Sequence, residues 1–250
     1  MTGTASEPAH GRAVSLGRAV SIGRPRLHLR VTDSTNERAR ALALAGSPHG
    51  ALVTAAEQSA GRGRQGRTWT APAGRALLMS LVLRDPRPLL PLAAAVAVAE
   101  TAGADALIKW PNDVLLGAGK VAGILIEGRP QAGWAVLGVG LNVALDEDDL
   151  PQELRGVAAT LGRRPEDVEP VLRDLLEHLE GWLAASDAEV LDAWRARDAL
   201  LGRPVRWAAG TGLGAGVDGA GRLVVGLEAG GQVTLEAGEV HLGAAEDPPR

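Results

Sequence analysis

Near Gly202 the chain changes its pattern. Before that point, apolar strand-like runs alternate with helical stretches. After it, RPVRWAAG, GAGVDGAGRLVVGLE and GQVTLEAGEVHL are short strand-like runs divided only by Gly-rich turns. Asp218-Gly219 is a hairpin signal within them. A chain built this way buries its apolar faces as an α+β domain of catalytic size with a small all-β appendage. The expected organisation is a tail over 1–24, a catalytic domain over 25–201, a β unit of the SH3-barrel type over 202–243, and a tail over 244–250.

Within the larger part, RLHLRVT (26–32) alternates and predicts a strand. Asp33 and Ser34 offer N-cap oxygens to a helix, TNERARALALA, that Gly46 stops. Strands are predicted over 51–58, 77–84, 106–110, 121–128 and 134–143, with a loop, PNDVLLGAG, between the third and fourth of these. Pro91–Thr101 is an Ala/Val-rich helix. Val168, Val171, Leu172, Leu175, Leu176, Leu179, Trp182 and Leu183 recur at helical spacing, which predicts an amphipathic helix over 166–184. A second helix is expected over 188–201. An acidic turn, DEDD (146–149), precedes both. Residues 1–24 carry a short tandem repeat, GRAVSL then GRAVSI, with no sustained periodicity.

Composition excludes several chemistries. There are no cysteines, so there is no disulfide, no thiolate metal site and no thioester intermediate. The net charge of −4 argues against a general nucleic-acid binder. No apolar run reaches the about 18 residues of a membrane span, and the N-terminus lacks an uninterrupted apolar region. A cytoplasmic protein with no membrane partner is the expectation. The chain has no Phe and no Tyr, so its core must be Leu, Val, Ala and six Trp.

Composition also ranks positions. Only two lysines occur, Lys109 and Lys120, against 24 arginines, and only three asparagines, Asn36, Asn112 and Asn142. Ala, Gly, Arg and Pro abound, the pattern of a GC-rich gene, in which Lys drifts to Arg wherever physics allows. Surviving lysines mark places where a compact ammonium is needed and a planar guanidinium fails.

Four segments carry chemistry. In EQSAGRGRQGRTW (57–69), glycines permit close backbone approach and Arg62, Arg64 and Arg67 present forked donors suited to phosphate or carboxylate. The segment is either a solvated flexible loop or an ordered lid over an anion; Trp69 and the flanking strands favour the lid. In KWPND (109–113), Pro111 fixes a turn that brings Lys109, Asn112 and Asp113 together. This is an ordinary turn or, with Lys120, a site for a nucleotide polyphosphate and its Mg²⁺. In GVGLNV (138–143), Gly138 and Gly140 imply close approach of a ligand or a neighbouring strand. Asn142 reads an adenine edge or caps a strand end. In Ser34-Thr35-Asn36, Ser34 is a helix N-cap or part of a ligand site at the helix N-terminus.

In this order, Ser34-Thr35-Asn36, Gly61–Trp69, Lys109–Asp113, Lys120–Glu127 and Gly138–Asn142 resemble the biotin protein ligase family, whose pattern is STN, GRGRxGRxW, KWPND, KxxGILxE and GxGxN. The likeness covers roughly residues 26–243. It implies a mixed-sheet α+β fold related to class II aminoacyl-tRNA synthetases and lipoate ligases, with an SH3-like C-terminal barrel. It implies two half-reactions: biotin and ATP give biotinyl-5′-AMP and pyrophosphate, and a lysine of a biotin carboxyl carrier domain of acetyl-CoA carboxylase, or a related acyl-CoA carboxylase, then displaces AMP. By the resemblance, Lys120, Arg64 and Asp113 are catalytic. Biotin falls to Ser34, Thr35, Asn36, Gln58, Gly61, Arg62, Gly63, Arg64, Trp69, Lys120, Gly123 and Leu125. ATP falls to Arg62, Arg64, Arg67, Lys109, Asn112, Lys120 and Asn142, and Asp113 either binds Mg²⁺ or orients the lysine acceptor.

Some family members carry an N-terminal helix-turn-helix. Too few residues precede the first strand here for one, so no DNA partner is expected. A lipoate or octanoate ligase on the same scaffold and a non-catalytic binding module are the competing readings. The paired lysines beside Asn and Asp favour chemistry over binding alone.

Overall fold

The computed structural model describes residues 21–129, 133–236 and 238–242. Seven strands form one mixed sheet in the order β1-β2-β3-β7-β6-β5-β4. They are β1 (Arg26–Thr32), β2 (Leu52–Gln58), β3 (Ala76–Arg84), β4 (Leu107–Lys109), β5 (Asp113–Leu116), β6 (Gly119–Arg129) and β7 (Trp134–Asn142). Only β1 and β2 run parallel, joined through α1 (Thr35–Leu44); every other pair is antiparallel. The central strands β3 and β7 are buried almost throughout, which is why they read as continuous apolar runs. The edge strand β1 leaves Leu27 and Val31 exposed.

Helix α1 lies on the sheet against β2, β3 and β7. Ala39 and Ala43 lie four residues apart on its inner face, and their small side chains let the helix approach Val53, Val82 and Val136. The larger core surrounds α2 (Leu90–Ala102), in which nine consecutive or near-consecutive residues from Leu90 to Ala99 are buried. A helix apolar on all sides belongs inside. It is covered by α3 (Val168–Ala184) and α4 (Asp187–Arg195). Val171, Leu172, Leu175 and Leu179 are the buried stripe of α3, as their spacing predicts.

After α4, β8 (Pro204–Trp207), β9 (Gly210–Val217), β10 (Leu223–Gly226), β11 (Gln232–Leu235) and β12 (His241–Leu242) form an antiparallel sheet in the order β11-β10-β9-β8-β12. Asp218 organises the β9–β10 turn: its carboxylate accepts N–H groups of Ala220 and Arg222 at 3.0 and 2.9 Å. Val205, Val217, Leu223, Val225 and Val240 join the same core as α2. Trp110 Nε1 donates to Gly221 O at 3.1 Å across the junction.

Three expectations differ from the structure. The loop PNDVLLGAG contains a strand, β5, whose brief run Val114–Leu116 is hidden between turn residues; Val114 is fully buried against the core. The helix expected over 188–201 ends at Arg195, because the following backbone pairs with the sheet edge: Ile108 N donates to Arg197 O at 2.7 Å and Ala199 N to Ile108 O at 2.9 Å. The tail expected through residue 24 lies outside the described residues for 1–20, but Ser21–Arg24 are ordered. Ile22 is buried, and Gly23 N donates to Gly50 O at 2.8 Å. The 244–250 tail also lies outside the described residues.

Candidate active site

A cavity of about 440 Å³ opens over β6 and β7. Its walls are the start of α1, the 62–70 loop, the turn before β5, the 150–158 segment and the C-terminal residues Glu239 and Leu242. Fifteen of the expected residues line it together: Thr35, Asn36, Gln58, Arg62, Gly63, Arg64, Arg67, Trp69, Lys109, Asn112, Asp113, Lys120, Gly123, Leu125 and Asn142. Ser34 and Gly61 do not line it. Ser34 occupies the N-cap position of α1 with extended backbone, yet its hydroxyl makes no capping bond. Gly61 acts from behind: a Cβ there would lie 2.3 Å from Trp69 O and 2.7 Å from Gln58 Nε2, so only glycine lets both residues sit where they do.

At one end is a polar cluster. Gln58 Oε1 accepts from Thr35 N at 2.7 Å and from the Thr35 hydroxyl at 3.0 Å. That leaves the Gln58 amide nitrogen as an available donor beside the cavity. Ser80, fully buried in β3, stands 2.8 Å from Thr35 Oγ1 and 2.6 Å from Asn36 Oδ1, and its single proton serves one of the two. The Asn36 amide donates to Glu127 Oε2 at 2.8 Å.

The middle of the cavity is apolar and shaped by glycine. A Cβ on Gly140 would stand 2.4 Å from Trp69 Cε2, and one on Gly123 3.0 Å from Trp69 Cζ3. A Cβ on Gly138 would stand 2.0 Å from Asn36 Oδ1. The close approach that Gly138 and Gly140 permit is therefore to two side chains of the site itself. Trp69 Nε1 is buried without a hydrogen-bond partner among the described residues.

At the other end cations gather. Strand pairing sets Lys109 opposite Asp113, and Asp113 opposite Gly123. Lys120 Nζ lies 2.7 Å from Asp113 Oδ1 and 5.6 Å from the centre of the Trp69 ring. Arg64 Nη1 donates to Asn112 Oδ1 at 3.2 Å, while Asn112 Nδ2 donates to Ile124 O at 3.1 Å. Arg67 pairs with Glu239 of the C-terminal unit. Burial holds Lys109 below the ordinary lysine value; Asp113 opposes this, and Lys120 and Arg67 add to it. Burial likewise lowers Arg64, with Asp113 opposing. Lys109 and Arg64, taken from water with Asp113 as the carboxylate that opposes the cost, are poorly compensated, and an anionic ligand removes that deficit. Asn142, the candidate adenine contact, turns its amide to Ala159 O at 2.9 Å and so ties β7 to the 150–161 segment.

The fit to Mg²⁺ is limited. No group of three or more carboxylate or imidazole side chains suited to a metal occurs among the described residues, and Asp113 is already paired with Lys120. The described residues do not build a cage for the ion by themselves.

Sequence reasoning missed Ser80, Glu37, Glu239 and the 150–158 wall. Ser80 had a signal, as the one hydroxyl in the apolar run ALLMSLVLR. Glu239 had none, since it arrives through tertiary packing.

Residues 28–143 match the family model of the biotin/lipoate A/B protein ligase family. The biotin–[acetyl-CoA-carboxylase] ligase of Paracoccus denitrificans is 40% identical over 85% of this chain and 98% of its own length. The bifunctional ligase/repressor BirA of Bacillus spizizenii is 39% identical over 154 residues, and the matched part spans 47% of that relative, about half its length. The solved biotin protein ligase of Aquifex aeolicus in complex with biotin and ATP superposes with a TM-score of 0.75 at 28% identity, covering 89% of this chain and all of that one. Among the described residues no helix is long and apolar enough to cross a membrane. With 40% identity over 85% of this chain and 98% of the Paracoccus denitrificans ligase, and with the fold shared over 89% of the chain, the chain belongs to the biotin protein ligase family.

Proposed function

We propose that the protein activates biotin with ATP and passes it to a lysine of a biotin carboxyl carrier domain of acetyl-CoA carboxylase or a related carboxylase. The observation that carries this reading is the joining, in one cavity, of an apolar slot under Trp69 to the desolvated cations Lys109 and Arg64 and to Lys120 beside them. The slot suits the ring system and chain of biotin. The cations suit the carboxylate and phosphates whose repulsion opposes the first step.

In that step a carboxylate oxygen of biotin bonds to the α-phosphorus of ATP, and the bond to the β-phosphate breaks, releasing pyrophosphate. Lys120 offsets the charge that meets there, and Arg64 and Arg67 hold phosphate oxygens. Asp113 holds the Lys120 ammonium in position. Thr35 and Gln58 take the ureido group, with the free Gln58 amide as donor. In the second step the acceptor amine bonds to the biotin carbonyl carbon, AMP leaves with the electron pair of the C–O bond, and the amine gives up a proton. Water excluded by the 61–69 loop protects the anhydride between the steps. Mg²⁺ bound with ATP would supply further charge neutralisation.

The test is exchange of labelled pyrophosphate into ATP, with biotin and separately with lipoate. Exchange with biotin alone is expected. Exchange with lipoate alone would place the chain with the other branch of the broader family, and exchange with neither would leave a binding protein.

A further inference from the structure

Arg62 differs from its two neighbours in the loop. Its Nη2 lies 3.1 Å from Glu37 Oε2 on α1 and 2.9 Å from Glu127 Oε2 on β6. Arg64 has an amide oxygen as its partner, and Arg67 the single carboxylate Glu239. A guanidinium already shared by two carboxylates gains little from a phosphate, which would have to enter against both negative charges. Arg62 is therefore poorly placed as a ligand arm, whatever the motif implies.

Its position gives it another task. Arg62 pairs with Thr68 across the base of the loop, so holding Arg62 holds both strands of the loop at their root. The Glu127 oxygen that holds it also accepts the Asn36 amide at 2.8 Å. From Asn36 the contacts run through Ser80 to Thr35 and Gln58. One carboxylate oxygen thus joins the loop root to the polar end of the cavity.

We infer that Glu127, with Glu37, latches the 61–69 loop closed through Arg62, and that Glu127 is a positioning residue coupling loop closure to the Thr35–Gln58 pair. The second half of this inference rests on the biotin reading; the latch itself does not. A loop that must open for large substrates and close over an intermediate needs a root contact of moderate strength. Side chains left 35–43% exposed provide one, strong enough to bias closure and weak enough to release.

The experiment uses the full chain. Ligand-free protein is digested briefly with trypsin, and cleavage after Arg64 and Arg67 is followed by mass spectrometry. Glu127→Gln keeps an oxygen for Asn36 but removes one of the two charges that hold Arg62. It should speed those cuts about three- to tenfold, the scale of one partly exposed charge-assisted pair, with other sites unaffected. Arg62→Met, which removes the Glu37 pair as well, should speed them at least as much, and the double variant should be cut no faster than Arg62→Met, because Glu127 acts on the loop through Arg62. Release of biotinyl-AMP should rise in parallel, and Glu127→Ala, which also strands the Asn36 amide, should weaken biotin binding further. Cleavage of folded Glu127→Gln at the parent rate overturns the latch. So does an increase in the KM for ATP in Arg62→Met that Glu127→Gln lacks, which would make Arg62 a ligand arm. If Glu127→Gln does not fold, Glu37→Gln on the half-exposed side of the clamp must loosen the loop by itself, and its failure to do so is equally fatal. A parent protein without biotin-dependent exchange would sink the functional reading and leave the proteolysis result standing.

Discussion

Lys120 Nζ is fixed between Asp113 Oδ1 at 2.7 Å and the face of Trp69, and the Cβ position of Gly123 is only 3.2 Å from it. That space accepts a compact ammonium. A guanidinium carries the same charge on a wider planar frame and would lose either the Asp113 contact or the ring. We expect Lys120→Arg to lower the rate of biotin-dependent pyrophosphate exchange by about 100-fold or more, the cost of removing one aimed charge-stabilising donor. A rate near that of the parent would show that charge alone suffices and that the scarcity of lysine carries no functional meaning. Gly140 is the second residue to test. With 2.4 Å between its would-be Cβ and Trp69, Gly140→Ala must push the indole into the cavity. Titration calorimetry should show biotin affinity at least tenfold weaker, while a thermal melt shows a loss of about 1–3 kcal/mol, the usual range for overpacking. Both residues were legible in the sequence as rare or motif-bound positions. What they touch was not, because the Trp69 ring reaches Gly140 only when the loop packs over β7.

The 61–69 loop is the element on which turnover depends. It runs as a small hairpin, with Gly63 N donating to Arg67 O at 2.7 Å and Trp69 N to Gly61 O at 3.0 Å, and its tip places Gln65 at φ 55. An ordered lid over an anion was one of two readings open from the sequence, and these backbone bonds give the loop the hairpin that such a lid needs. Arg64 rests on Asn112, which is itself tied to β6 by two bonds to Ile124. Arg64→Gly should break this tie. Adenylate should still form at a reduced rate, but biotinyl-AMP should pass rapidly into solution, as rapid filtration after a single turnover would show. Retention equal to that of the parent would mean that closure depends on other contacts. Strand β5 illustrates the limit of reading elements locally: four residues bounded by turn formers have no period of their own, and only pairing with β4 and β6 defines them.

For the whole molecule, the decisive feature is that the C-terminal sheet shares its core with α2. The two parts should melt in one transition. Asp198 stands at their junction: Oδ1 accepts Leu200 N at 2.8 Å, and Oδ2 is buried without a partner among the described residues. Burial raises its pKa above 3.8, against the pull of the Leu200 and Leu201 amides. The folded state therefore binds the proton more tightly than the unfolded chain. Stability falls as pH rises from about 3.8 through the raised value and stays lower above it. Asp198→Asn keeps an oxygen for the Leu200 amide and removes the charge. Its melting temperature should exceed that of the parent at pH 7, and the gap should close at acid pH where the parent carboxyl is protonated. A gap that does not depend on pH would mean that Asp198 is not the titrating group. The paired surface carboxylate Asp33 shifts the other way, lowered by the Ser34 amide and Thr32 hydroxyl before Arg38 is counted, and its contribution is lost only as pH falls.

The amino-acid sequence by itself determined the layer pattern, the change at Gly202, the family motifs and most residues of the cavity. These depend on local periodicity, turn chemistry and residue scarcity, which a chain carries before it folds. Tertiary structure decided how those residues are used. It turned Gly138 and Gly140 toward Asn36 and Trp69, gave Arg62 to two carboxylates, committed the Asn142 amide to the 150–161 segment and brought Glu239 to the loop. Each of these is a contact between residues far apart in the chain, set by strand register and by the competition of buried polar groups for partners, and neither quantity exists until the sheet is formed.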